Sequence, residues 1–296
     1  MQLLKRRWLF LLTNLAIIIL INIILVILER YFGFRIMSGG YTGLLVMAFV
    51  FGFVGAIINL QISRWMAKRA YNIQLIDEQS SAQHPNLAVV YRTVQKISQM
   101  HDFAMPEVGI YQNASPNAFA TWPSKNRSIV AVSSGLLQGM TADEIEWVIG
   151  HEMSHIYNGD MVTMTLLQGV LNTFTIFFAR VIAMAISGWS RDNNNHVWGF
   201  AYYGIVMLLD IVLWLFASLI LMRYSRQREF AADAGSAEHV GTAKMIAALR
   251  KLQEFSNKPV EQDQYAIMKI SGGKVWLRLF SSHPSLESRI EALQNM

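Results

Sequence analysis

The chain contains no cysteine. Disulfides, a thiol nucleophile and thiolate metal ligands are therefore excluded, and any metal must be held by His, Asp or Glu. Charge is also scarce. Only 15% of the residues are charged, against about 25% in soluble domains. Such a deficit marks a membrane protein. The net charge is +5, but the basic residues flank apolar runs instead of forming a patch with interleaved aromatics. Nucleic acid is thus not an expected partner. Internal repeats and low-complexity segments are lacking too.

What is present begins with long apolar runs. Trp8–Leu28 carries no charge over 21 residues and is long enough to span a bilayer. It is too long for the apolar part of a signal peptide, and no small-residue cleavage site follows, so it reads as an uncleaved span. Tyr41–Ile62 is a second uncharged run, with Gly43, Gly52 and Gly55 allowing close helix packing. The two spans form an antiparallel hairpin. Met161–Ser190 and Val197–Met222 give two more, joined by a polar turn at 189–196 and flanked there by Trp189 and Trp198. Each carries one charge, Arg180 and Asp210. A turn centred near Asn193 puts Arg180 within reach of Asp210, and an intramembrane pair is expected because a lone charge there is costly. The rival is a long buried hairpin in a soluble domain, which the run lengths disfavour.

The remaining stretches are polar. Four parts follow: a transmembrane hairpin over 1–63, a first catalytic stretch over 64–160, a second hairpin over 161–222 and a second catalytic stretch over 223–296. The expected fold is a mainly α integral membrane protein with four spans. Its zincin-like domain, α with a small β-sheet, is assembled from the two discontinuous stretches. Leu87, Val90, Val94, Ile97 and His101 share a helical face. Val108–Tyr111 and Ser128–Val132 read as strands, with Ser115–Thr121 a possible third. Met245, Leu249 and Leu252 mark a helix after Thr242.

Lys5, Arg6, Arg7, Arg64, Lys68, Arg69, Arg223, Arg226 and Arg228 fall on one side of the spans. Arg30, Arg35 and Arg191 fall on the other. Positive residues accumulate in the cytoplasm, so both termini and both polar stretches are expected there.

The chemistry is concentrated in His151-Glu152-Met153-Ser154-His155, an H-E-x-x-H stretch. On a helix the two histidines lie one turn apart on one face and can fill two corners of a tetrahedral zinc site. Glu152 is then placed to act as general base. Helical context is supported by the S/T-x-x-E capping box of Thr141 and Glu144, the apolar Ile145, Val148, Ile149 and Ile156, and a stop at Asn158-Gly159. An amphipathic helix with two incidental histidines is the plainer alternative.

No histidine closely follows His155, so the third ligand lies elsewhere. Glu229 directly follows the fourth span, as the motif directly precedes the third. The hairpin therefore returns Glu229 to the histidines, and Asp233, one turn on, can accept a ring N–H from one of them. Glu229 could instead merely balance Arg226 and Arg228. Three protein ligands for one zinc per chain leave a fourth position open, the pattern of a catalytic site.

Nearly the whole chain resembles the HtpX-like bacterial inner-membrane zinc metalloproteases. These belong to the glutamate-zincin group with the CaaX prenyl-protein proteases and the Oma-type proteases. The resemblance is carried by the opening span, Asn117-Ala118-Phe119-Ala120, Val130-Ala131-Val132-Ser133, the motif through Asn158-Gly159-Asp160, Ser225-Arg226-Gln227-Arg228-Glu229-Phe230, Ala232-Asp233-Ala234-Gly235 and His283-Pro284. It implies His151, His155 and Glu229 as ligands, Glu152 as catalytic base, and proteolytic quality control of misfolded membrane proteins under stress. Two departures stand out. Trp122 replaces a usual glycine and is expected to alter the substrate groove. Ser285 replaces the second proline of His-Pro-Pro, an expected mild change.

The expected activity is a zinc metalloendopeptidase. An oxyanion donor besides zinc is needed, and His283 and Arg289, in the last helical segment, are candidates alongside a purely structural role for both. Asn117, Ala118, Phe119 and Ala120 read either as an edge strand that takes substrate as an added strand or as a core strand. His84, His101, His196 and His239 are left as ordinary residues. A non-enzymatic metal-binding scaffold is disfavoured by Glu152, which zinc binding alone does not need. A transporter is favoured only by Arg180 and Asp210.

Overall fold

The computed structural model describes residues 2–33, 40–188, 195–257 and 283–296. It opens with helix α1 (Gln2–Phe32). α2 (Gly40–Phe49), a π-helical segment (Val50–Val54) and α3 (Gly55–Tyr71) follow without a break. Then come β1 (Gln74–Ile76), α4 (Glu78–Ser81), α5 (Pro85–Met100), β2 (Glu107–Tyr111), β3 (Ala118–Thr121) and β4 (Ile129–Ser133). The rest is helical: α6 (Ser134–Gly139), α7 (Ala142–Asn158), α8 (Asp160–Gly188), α9 (Asn195–Val240), α10 (Thr242–Asn257) and α11 (Leu286–Gln294). The chain divides into two compact units, Met1–Leu60 with Thr163–Leu221, and Gln61–Val162 with Met222–Met296.

The first unit holds the apolar helices. Among the described residues, four segments are long and apolar enough to cross a membrane: Leu11–Tyr31, Gly40–Tyr71, Asp160–Ile186 and Tyr202–Val240. Leucines and isoleucines of α1 and α9 are exposed around it, as a lipid-facing surface requires. Gly52 sits where a Cβ would come within 2.5 Å of the Thr173 nitrogen. Only glycine permits so close a helix crossing, and the π-helical segment lies around it. Arg180 Nη1 donates to the Ile176 carbonyl at 2.9 Å and reaches Asp210 Oδ1 at 3.5 Å. The two opposite charges are thereby brought together. A lone charge at the bilayer centre would cost about 2.5–3.5 kcal/mol on insertion scales.

The second unit is built on a four-stranded sheet in the order β1-β2-β4-β3. β2 and β4 are parallel, and the outer pairs are antiparallel. β4, Ile-Val-Ala-Val-Ser, is buried along its whole length. Its β-branched residues suit a central strand. Val90, Val94 and Ile97 of α5, Ile145, Ile149, Met153 and Ile156 of α7, and Met245 and Leu249 of α10 complete the core. His101 does not join that face. It is exposed as the C-cap of α5, with its ring stacked on Tyr157.

Three features depart from the sequence expectations. β1 adds a fourth strand; it has only three residues, and Leu75 is exposed, so no alternation announces it. α3 continues to Tyr71, past the end of the apolar run. α9 likewise continues from the apolar run to Val240 without interruption, and Gly241 follows with φ +93°. Where hydropathy changes, nothing in the sequence breaks a helix. The expected polar turn at 189–196 lies largely outside the described residues.

Candidate active site

The site belongs to the second unit, and α7 positions most of it. Thr141 and Glu144 form the capping box: Glu144 Oε2 accepts the Thr141 N–H at 2.8 Å, and Thr141 Oγ1 accepts the Glu144 N–H. Gly159 ends the helix at φ +73°, donating its N–H to the His155 and Ile156 carbonyls. The buried apolar face of α7 leaves His151, Glu152 and His155 on its other side.

α9 crosses α7 closely at small residues. A Cβ on Gly235 would fall 2.0 Å from the Tyr157 hydroxyl, and one on Gly150 would fall 2.7 Å from Ser236 Oγ. Ser236 Oγ donates to the Trp147 carbonyl at 3.1 Å. This crossing sets Glu229 and Asp233 over the histidines.

His151 Nε2 and His155 Nε2 are 3.2 Å apart. Glu229 Oε2 lies 3.6 Å from the first, and Oε1 lies 3.5 Å from the second. Donors each about 2.0–2.1 Å from one tetrahedral ion stand about 3.4 Å from one another. The separations therefore suit a metal. The tautomers agree. His151 Nδ1 is 2.8 Å from Asp233 Oδ1, and His155 Nδ1 is 2.7 Å from Asp160 Oδ2. A carboxylate accepts the Nδ1 proton in each case, which turns the Nε2 lone pairs inward. Glu229 Oε2 is buried with no aligned hydrogen bond, although His283 Nδ1 lies 3.0 Å away. Burial pushes both imidazoles down, but the neighbouring carboxylates push them up by more, His155 to about 10. A site so negative attracts cations, and protons and a metal compete for the same lone pairs. Among the described residues, His151, His155 and Glu229 form the group able to hold a metal ion.

Behind His151, Arg289 donates from Nε to Asp233 Oδ2 at 2.6 Å and from Nη2 to Asp233 Oδ1. Its Nη1 lies 3.6 Å from Glu229 Oε2. Glu152 lines the same cleft as the three donors, and its Oε2 accepts the Ala120 N–H at 2.9 Å. Ala120 is on β3, which pairs with β4 on one side and, among the described residues, is the sheet edge on the other. A cleft of about 420 Å³ runs past these groups, with Asn117, Ala118 and Phe119 on one wall and Glu152, His283 and Arg289 among its lining.

The structure thus places most of the residues singled out from the sequence around one cleft, with Asp233 against His151 and Ala120 against Glu152 outside its lining. His283 precedes α11, whose N-cap is Ser285, and so is not on the last helix as expected. Ser285 Oγ accepts the Ser288 N–H, a cap that proline could not supply. Trp122 does not line the cleft. Its side chain is 3% exposed, packed in the core, and its backbone N–H reaches Met161 Sδ. Asp160 was missed. An aspartate opening a helix reads as an ordinary N-terminal residue, and only its five-residue distance from His155 hinted at more.

The sequence profile described as "Peptidase family M48" matches residues 85–296. A curated "Protease HtpX" from Idiomarina loihiensis is 50% identical over 290 residues, covering 98% of this chain and 99% of that protein. The chain belongs to peptidase family M48. A second relative, "Protease HtpX" from Tolumonas auensis, is 47% identical over 99% of both chains. The crystal structure of S. mikatae Ste24p has the same fold: TM-score 0.65 at 17% identity, covering 98% of this chain and 67% of that one. This M48 chain is a membrane metalloprotease.

Proposed function

We propose that the protein is a zinc-dependent endopeptidase that cuts misfolded or damaged membrane proteins at the cytoplasmic face of the bacterial inner membrane. The observation that carries the reading is the convergence of two inward-facing imidazoles and Glu229 beside Glu152. Bound zinc would polarise the scissile carbonyl and acidify a water. Glu152 takes the proton from the attacking water and passes it to the leaving amine. The β3 edge, Asn117–Ala120, pairs with an extended substrate through main-chain hydrogen bonds. Of the two candidate oxyanion donors, His283 is better placed. Its side chain is 57% exposed at the cleft, whereas Arg289 spends Nε and Nη2 on Asp233.

Detergent-purified protein should degrade unfolded casein, lose that activity in a chelator and regain it with added zinc. Cleavage that persists unchanged in the chelator contradicts the reading. The orientation is supported by nine Lys or Arg on one side of the spans against three on the other. A reporter enzyme active only outside the cytoplasm, fused after Met296, is expected to be silent. An active fusion reverses the topology.

A further inference from the structure

Each histidine of the proposed metal site has its own carboxylate, and each carboxylate has its own arginine. The inner set, Arg289–Asp233–His151, is nearly enclosed. The outer set is less obvious. Asp160 uses both oxygens: Oδ2 faces His155 Nδ1 at 2.7 Å, and Oδ1 is paired with Arg228 Nη2. We infer that Arg228 and Asp160 act as a positioning relay that fixes the tautomer and ring orientation of His155. The inference rests on the proposed metal reading.

Asp160 needs such a restraint because of where it sits. It is the first residue of α8. The first turn of a helix presents N–H groups without intrahelical partners, and a carboxylate there is drawn to them and to the positive end of the helix. Those groups compete with the His155 ring for the Asp160 oxygens. An ion pair on Oδ1 holds the carboxylate plane and keeps Oδ2 on the ring. Arg228 is suited to this by its place. It immediately precedes Glu229, and successive helix residues point about 100° apart. One turn of α9 therefore sends a ligand toward α7 and a cation toward the start of α8. The Arg228 side chain is three-quarters covered, and its Nε is buried without a hydrogen-bond partner. That is a strained environment for a residue that merely solubilises a surface.

The test measures zinc affinity of the detergent-purified full chain by competition with a chromophoric chelator. Asp160→Asn should weaken zinc about 10–100-fold, as loss of an outer partner does. Arg228→Ala should weaken it about 10-fold, within that same range, and Arg228→Lys should recover part of the loss. The deciding comparison is a double-mutant cycle. In the Asp160→Asn background, Arg228→Ala should cost nothing further. Arg226→Ala, which removes the same charge one turn-half away, should leave affinity unchanged. Far-ultraviolet circular dichroism checks that each variant is folded, and Arg228→Lys carries the test if Arg228→Ala is not. Arg228→Ala with wild-type affinity overturns the relay, as does an equal loss in both backgrounds. A wild-type chain that takes up no zinc is a different failure, because it removes the metal reading itself.

Discussion

Glu152→Gln is expected to stop peptide hydrolysis while leaving zinc bound in a one-to-one ratio. Glu152 is not one of the three converging donors. It lines the same cleft, with Oε2 on the Ala120 N–H at 2.9 Å. Glutamine has the same shape, and its carbonyl oxygen can still accept that N–H, so the edge strand and α7 keep their places. What disappears is the basic lone pair. A positioned general base contributes about 10²–10⁴-fold to such reactions, and the same group returns the proton to the leaving amine. The loss should therefore sit in kcat. Zinc content and casein cleavage are measured on one preparation. Retained cleavage removes Glu152 from its role, and loss of zinc makes it a ligand.

The site was legible in the sequence where one helical period or one hairpin sufficed to bring residues together. His151 and His155 share a face because they are one turn apart, and the capping box of Thr141 and Glu144 marked the helix that carries them. Glu229 could be placed because two apolar runs of similar length return the chain to the same end. Legibility failed where a partner is chosen by packing. Asp160 meets His155 and Arg228 only in the folded chain, where the left-handed Gly159 separates α7 from α8 and α9 brings an arginine to it. Trp122 stands where the resembled family usually has glycine, which marked it as a groove residue, but its side chain is buried in the core just past β3. β1 was invisible because three residues with an exposed leucine carry no period. The ends of α3 and α9 were misplaced for a common reason: hydropathy reports where lipid ends, and a helix ends only where caps, glycine or proline end it.

Glu229→Ala is expected to lose the metal together with the activity. The Glu229 carboxylate supplies the only charged donor of the three, with oxygens 3.5 and 3.6 Å from the two Nε2 atoms. It also faces the Arg289 guanidinium, with Nη1 at 3.6 Å, and the His283 ring, with Nδ1 at 3.0 Å. Its removal therefore acts twice. The cation loses a ligand, and the Arg289 guanidinium loses an anion that offset it and now opposes a cation. Removing an outer partner costs about 10–100-fold in affinity, and loss of a charged ligand should exceed that. Asp233→Ala is the comparison. It leaves all three donors in place and should stay within the 10–100-fold range, and it removes both Asp233 contacts of the buried Arg289, so some loss of thermal stability should accompany it. Alanine is the best helix former, so α9 should keep its helix in the Glu229 variant. Far-ultraviolet circular dichroism can then separate loss of metal from loss of fold. The measurement is zinc per chain after dialysis against buffer without metal. If Glu229→Ala retains one zinc per chain, the third ligand is another residue, and the exposed His283 beside it becomes the first to replace.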